Sequence, residues 1–184
     1  MKPVRRALKT RRLILRPIRP SDLAAYYDYA RRPEVWVTAG FPKPESVADT
    51  RVFVRRAVSR WGKPPAHRTD FAILRRKDGR WIGGIDLRWP HGGVGELGYG
   101  LHPDFWGRGY AAEAARALRD WAFERGAHRV QATCWVKNAR SARLLRRLGM
   151  RREGVLRGFL RRGMEIRDEF QYGMTRKDWE GAKG

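Results

Sequence analysis

The sequence holds a single cysteine, Cys134, in 184 residues. That excludes an internal disulfide and a zinc cluster built from cysteines. Its four histidines, His67, His91, His102 and His128, are scattered, without the i, i+4 pair that holds a metal on one helix face, so no metal site is expected. No run of about 18 apolar residues occurs, so no segment reads as a membrane-spanning helix. The basic start, Met1-Lys2-Pro3-Val4-Arg5-Arg6, leads into no apolar stretch of the secretory kind, and the expectation is a cytoplasmic protein. A GxxxxGK phosphate loop and a GxSxG nucleophile turn are both missing. There is no internal repeat, low-complexity tract or Gly/Ser linker, and the economical reading is one domain over 1–184.

Acidic residues are also scarce. Forty-one Lys and Arg stand against 19 Asp and Glu, a formal net charge of +22, and most of the excess is arginine. Such a field favours polyanionic neighbours, among them RNA, ribosomes and phosphorylated cofactors. A proteome rich in arginine would decorate its surfaces the same way, and composition does not locate the charge. The chain is 42% hydrophobic, with eight Trp and seven Phe, enough for a packed core and unlike a disordered segment.

Leu13-Ile14-Leu15-Arg16-Pro17 reads as a short first strand. Pro20-Ser21-Asp22 is a helix-start signal, with Ser21 or Asp22 available as a cap, for a helix from about Asp22 to Ala30. A second helix is expected from about Ser46 to Arg60, stopping at Gly62 and Pro64-Pro65. Strands follow at Asp70–Arg75, Arg80–Leu87 and Gly95–Leu101, with turns at Asp78-Gly79 and His91-Gly92-Gly93. From Ala111 to Arg125 the pattern turns helical, Ala111, Ala115, Leu118 and Ala122 forming one stripe, and Gly126 ends it. His128–Val136 is a strand, and Ala139–Leu148 a helix closed by Gly149. Val155–Leu160 and Ile166–Met174 form a hairpin around Gly163. The order β-α-α-β-β-β-α-β-α-β-β implies an α/β fold, a mixed sheet with helices on both faces.

The most informative stretch runs from Glu96 to Ala111, where a strand enters the Gly-rich loop Phe105-Trp106-Gly107-Arg108-Gly109-Tyr110 and then an Ala-rich helix. Main-chain N–H groups at a helix start are unpaired and carry the positive end of the helix dipole, a natural cradle for a diphosphate. Gly107, Gly109 and Ala111 lack bulk, so phosphates approach the main chain, and Arg108 adds charge.

This loop resembles the acetyl-CoA signature Q/R-x-x-G-x-G/A of the GNAT superfamily of N-acetyltransferases, carried here by Trp106, Gly109 and Ala111. Trp106 departs from the usual Gln or Arg, and Trp there is typical of the RimJ/RimL-like branch, the ribosomal-protein N-terminal acetyltransferases and their relatives. Other pieces resemble the same branch in the same order: Thr10 to Pro17 followed by Asp22, then Pro33-Glu34-Val35-Trp36. Asn138-Ala139-Arg140-Ser141 with Leu144-Leu145 and Leu148-Gly149-Met150, Glu153-Gly154, and the Asp168 to Tyr172 hairpin complete the set. The resemblance spans about residues 10–179. It implies a GNAT-like three-layer α/β/α fold with a mostly antiparallel sheet, acetyl-CoA as cosubstrate, and cofactor contacts from Leu101, Trp106, Gly107, Arg108, Gly109, Tyr110, Ala111, Asn138 and Ser141.

Catalytic roles follow partly from chemistry and partly from the resemblance. An amine attacks a thioester only as the free base, so a general base is useful. Glu96, which alternation puts on the face of Gly98 and Gly100 at the end expected nearest the acyl loop, resembles the strand glutamate that serves some GNAT enzymes as base. In the family a main-chain N–H at the end of this strand points at the thioester carbonyl, and here that donor falls at Leu101. A bulge at Gly98–Gly100 would free it. Many members protonate the leaving thiolate from a Tyr, where this chain has Leu145; the RimL-like alternative is Ser141, which shares a helix face with Leu145 and Leu148. Asn138 is expected to cap that helix. Tyr99 and Tyr110 are also able to titrate or donate protons, though Tyr side chains beside a Gly-rich loop read first as packing.

The acceptor is set in this fold by the segment from about Arg32 to Glu45 and by the last hairpin. From Lys137 to Arg167 there are eleven basic residues and two acidic ones, Glu153 and Glu165. Arg140, Arg143 and Arg147 share a face that holds the 3′-phosphate of the cofactor, docks on ribosomal RNA, or is simply solvated. The expected activity is acetyl transfer to a primary amine, a ribosomal-type protein N-terminus first. The alternatives are a small amine, amino acid or antibiotic, and a basic ribosome- or RNA-binding protein without turnover. Trp36 and Trp179 read as exposed candidates for an interface or substrate pocket.

Overall fold

A computed structural model describes residues 7–38, 41–61, 68–162 and 164–182. The basic stretch 1–6, Gly62, Pro64-Pro65, His67 and the turn residue Gly163 lie outside them. The described residues build one eight-stranded sheet in the order β1-β2-β3-β4-β5-β6-β8-β7. The strands are β1 (Leu8–Lys9), β2 (Leu13–Pro17), β3 (Arg68–Arg75), β4 (Trp81–His91), β5 (Val94–Leu101), β6 (Arg129–Trp135), β7 (Arg151–Arg162) and β8 (Glu165–Thr175). Only β5 and β6 are parallel; every other neighbour is antiparallel. The parallel pair needs a crossover, which α4 (Tyr110–Glu124) supplies.

The helical stripe on α4 is as the periodicity requires. Ala115, Leu118 and Ala122 are fully buried in the main core, and Ala111 packs against it. α5 (Ala139–Arg147) lies on the same face through Ala142 and Leu145. The opposite face, over β3 and β4, carries α1 (Leu23–Ala30) and α3 (Val47–Arg60), joined by the short α2 (Pro33–Trp36). Its smaller cores gather Ile18, Val54, Ala57 and Ala72, and Tyr29, Ala30 and Val35. α3 begins with a reciprocal cap: Ser46 Oγ accepts from the Asp49 N–H while Asp49 Oδ2 accepts from the Ser46 N–H. Asp22 acts differently from the expected helix cap. Its carboxylate accepts from the Arg19 N–H and pairs with Arg16, fixing the turn before α1.

Three elements escape the periodicity because each is too short to show one. They are β1, α2, and a closing helix α6 (Arg176–Gly181). α6 corrects the expectation for Trp179. This indole is buried, stacked on Phe123 at 5.0 Å, and donates to Asp120 Oδ1 at 2.7 Å. Trp36 is half-buried.

Candidate functional site

The site is organised by where β5 stops pairing with β6. The parallel ladder covers only Val94–Glu96 against Arg129–Gln131. Beyond Glu96 the two strands share no further pairs, while on its other edge β6 pairs with β8 along its whole length, Arg129–Trp135. On its other side β5 stays in unbroken register with β4 from Glu96 to Leu101. The bulge expected at Gly98–Gly100 is therefore absent, and the opening comes from divergence toward β6 instead.

That opening exposes main-chain groups. The His102 N–H donates to Ile82 O at 2.9 Å, so alternation turns the N–H groups of Tyr99 and Leu101 away from β4 and into the gap. The Leu101 carbonyl on the same side accepts from Trp106 Nε1 at 2.8 Å. Trp106 thus ties the loop back to the strand end. This is a buttressing contact that the signature position did not suggest.

The loop then meets the requirements of a diphosphate. Gly107 and Gly109 have φ of 74° and 75°, left-handed values that a side chain would strain. Gly109 is the N-cap of α4 and offers no side-chain cap, so the first N–H groups of the helix, starting at Tyr110 and Ala111, stay available. One acidic group lies in that first turn. Burial alone would raise the Glu113 carboxyl, but Thr10 Oγ1, the Arg12 N–H and Arg12 Nε all donate to it and hold it below the ordinary range. Arg12 Nη1 also donates to Arg108 O at 3.0 Å, and Arg108 itself is exposed. Arg140, at the start of α5, lies over the Trp106 ring at 4.6 Å, so α5 and the loop flank one opening. The donors, the small residues and the arginines fit the charge and shape of coenzyme A.

The two faces of the gap differ in chemistry. On the α4/α5 face, Asn138 Oδ1 caps α5 by accepting from the Ser141 N–H at 3.0 Å. Ser141 Oγ is 2.8 Å from Tyr99 Oη. Burial pushes the Tyr99 hydroxyl far above its usual range, so it keeps its proton. Cys134 lies beside them, its thiol pushed up to about 11 by burial against a lowering hydrogen bond from Ser141. Tyr99, read first as packing and second as a proton donor, is thus half of a hydroxyl pair.

On the α1/α3 face stand Glu96, Gly98 and Gly100. Glu96 sits near the start of β5, five residues before Leu101 and away from the loop. Its Oε1 pairs with Arg88 at 2.8 Å and its Oε2 accepts from Gln131 Nε2 at 3.2 Å. Across β4 lie Asp86 and, on β3, Asp70 and Arg68. Tyr29 of α1 lays its hydroxyl over Gly100, so close that a Cβ there would be 1.9 Å from it. Glu169 on β8 is buried on this side, opposite Trp135. Arg167 donates from Nη1 to Val37 O at 2.5 Å and stacks on Trp135 at 4.2 Å. It bridges the final hairpin to the end of α2, the two segments expected to select the acceptor.

Known proteins share this arrangement. The family described as Acetyltransferase (GNAT) domain matches residues 12–151. An uncharacterised N-acetyltransferase of Bacillus subtilis strain 168, YnaD, is 30% identical over 176 residues, covering 94% of this chain and 98% of its own. The crystal structure of a GNAT-family acetyltransferase from Bacillus anthracis superimposes with a TM-score of 0.82 at 28% identity, over 94% of this chain and 99% of that one. RimL, the ribosomal L7/L12 alpha-N-protein acetyltransferase, solved in complex with coenzyme A, has a TM-score of 0.81 at 20% identity, over 92% of this chain and 98% of its own, a likeness of fold.

Proposed function

The chain belongs to the GNAT acetyltransferase family and is an acetyl-CoA-dependent N-acetyltransferase, and we propose that its acceptor is the α-amine of a polypeptide, of ribosomal-protein type. One observation carries this reading: carboxylates floor the acceptor face of the sheet while the outer rim of the molecule is basic. Asp86, Glu96 and Glu169 lie on the acceptor face. Exposed Arg140, Arg143, Arg146 and Arg147 on α5, across the sheet from these carboxylates, and Arg157 and Arg161 on β7 make the outer rim of the molecule basic. The floor suits an ammonium and the rim suits an anionic body, so a cationic terminus on an acidic protein satisfies both. A polyamine or aminoglycoside meets the floor but is repelled by the rim. Ribosome contact through the arginines of α5, and a cytoplasmic setting, belong to the same reading.

Each part of the machinery then has work to do. Acetyl-CoA supplies the activated acyl group. The N–H groups of Tyr110 and Ala111 hold the diphosphate, and Asn138 keeps α5 against the gap. The Leu101 N–H receives the charge that develops on the thioester oxygen; it is fixed before the reaction by Trp106, so little reorganisation is needed. Ser141, relayed by Tyr99, delivers a proton to the departing sulfur. A carboxylate of the acceptor face, where the resemblance leads to the expectation of Glu96, takes the proton of the amine.

The reading is tested by incubating the protein with radiolabelled acetyl-CoA and a whole-cell extract, then separating macromolecules from small molecules. Label in the protein fraction, carried on N-terminal peptides whose α-amine is blocked to Edman degradation, is the expected result. Label confined to the small-molecule filtrate rejects the polypeptide acceptor and makes the enzyme a small-amine acetylase.

A further inference from the structure

The acceptor face holds a carboxylate that the resemblance does not single out. Asp86 on β4 stands directly opposite Gly98 on β5. Gly98 has no side chain, and a Cβ there would lie 2.6 Å from Asp86 Oδ1. The Asp86 carboxyl therefore leans over β5 into space that any other residue at 98 would fill. Along the strand that point is about 10 Å from Leu101, against about 17 Å for Glu96, at roughly 3.3 Å per residue. The thioester carbonyl, the amine and one water span the shorter distance.

The charges around Asp86 are arranged to leave it under-neutralised. Arg68 on β3 gives its short bond, Nε at 2.7 Å, to Asp70, and reaches Asp86 Oδ1 only at 3.3 Å. Arg88 on β4 gives its short bond, Nη2 at 2.8 Å, to Glu96, and reaches Asp86 Oδ2 only at 3.4 Å. Asp86 Oδ2 is buried and accepts no hydrogen bond among the described residues. Tyr26 and Tyr29 of α1 face the same group, both protonated because burial raises them, and Arg60 of α3 is spent on Asp70. Burial pushes the Asp86 carboxyl up to about 6; Arg68 and Arg88 pull it down, and Asp70 and Glu96 push it up again. A carboxylate in that range is ionised at pH 7 and still a better proton acceptor than an ordinary Asp. Glu96, by contrast, has both oxygens occupied.

We infer that Asp86 is a catalytic residue, the general base for the acceptor amine, and that Glu96 is a positioning residue that holds Arg88 away from it. The inference rests on amine acetylation at this site. In the step, the amine forms a C–N bond with the acetyl carbon and the C–S bond breaks. The N–H proton passes to Asp86 through one water, and the thiolate takes its proton from Ser141.

The test is the pH dependence of kcat/KM for a synthetic acidic peptide with a free α-amine, for the wild type, Asp86→Asn, Asp86→Glu and Glu96→Gln. Acetyl-CoA affinity and thermal unfolding are measured alongside. The peptide amine titrates near 7.7–8.0, so a limb near 6 is separately visible. The wild type is expected to show that limb. Asp86→Asn should lose about 10²-fold or more and flatten the limb while binding acetyl-CoA normally. Asp86→Glu should restore part of the rate, and Glu96→Gln should keep the limb but move it to lower pH. A folded Asp86→Asn enzyme with the wild-type rate and profile overturns the inference. So does a wild type without a limb between pH 5 and 7, a result that needs no variant to fold. A wild type that acetylates no peptide but does acetylate a small amine rejects the polypeptide acceptor alone; the same variants then decide Asp86 on that amine.

Discussion

The two faces of the β5–β6 gap are lined by opposite kinds of group. Toward α4 and α5 the groups are neutral: Tyr99, Ser141 and Cys134, all held in their protonated forms by burial or hydrogen bonding. Toward α1 and α3 they are charged and crowded, Asp70, Asp86 and Glu96 among Arg60, Arg68 and Arg88. One strand serves both because successive side chains alternate across a sheet. Odd residues of β5 face the main core and even residues face α1 and α3. The lesson is that a neutral hydroxyl pair and a cluster of carboxylates share one strand without neutralising each other, since the backbone of β5 stands between them.

The comparison predicts what happens when each side is broken. Substitution at the charged side carries the largest effect and trades stability for rate. A carboxyl raised from 3.8 to about 6 binds its proton more tightly in the folded than in the unfolded chain. Stability therefore falls as pH rises from about 4 through 6, and the full penalty remains above that. Asp86→Asn should remove it, raising stability at pH 8 by up to about 3 kcal/mol while the rate drops; denaturant melts at pH 4 and pH 8 measure the first half of that statement. On the neutral side, Ser141→Ala should cost about 10²-fold in kcat with acetyl-CoA affinity unchanged. Pairing it with Tyr99→Phe should give much less than the product of the two losses, because they act through one proton path. A double-mutant cycle on kcat reads this.

Smaller effects sharpen the geometry. Trp106→Phe removes the donor to Leu101 O and should cost about 1 kcal/mol in kcat/KM, mostly through loss of strand-end order. Arg140→Ala removes the cation stacked on Trp106 and should weaken acetyl-CoA by about 0.5–1 kcal/mol, readable by calorimetry.

Much of this was visible in the residues. The α4 stripe, the Asp78-Gly79 turn (φ 67° at Gly79), the Gly107–Gly109 cradle and the Asn138 cap each follow from local chemistry, and local chemistry is what a sequence displays. The position of the gap did not follow. Gly98 and Gly100 suggested a bulge, but where a strand loses its partner depends on how two strands joined through a crossover helix diverge, and β5 pairs with β6 about 35 residues away in the chain. Asp86 stayed unnoticed for the same reason. In the sequence it is an acidic residue in an aliphatic strand; only the register with Gly98 shows what it overhangs. Ser141 was legible as an inward hydroxyl, whereas its partner Tyr99 lies 42 positions away.

The claim that everything else depends on is that the Leu101 N–H faces an open gap and is filled by the thioester arm. Amide hydrogen exchange resolved by residue measures this directly. The Leu101 and Tyr99 amides should exchange quickly in the free protein and become protected by saturating acetyl-CoA, while Gly98 and Gly100, bonded to β4, stay slow throughout. Tight acetyl-CoA binding with no change at Leu101 or Tyr99 would contradict the account.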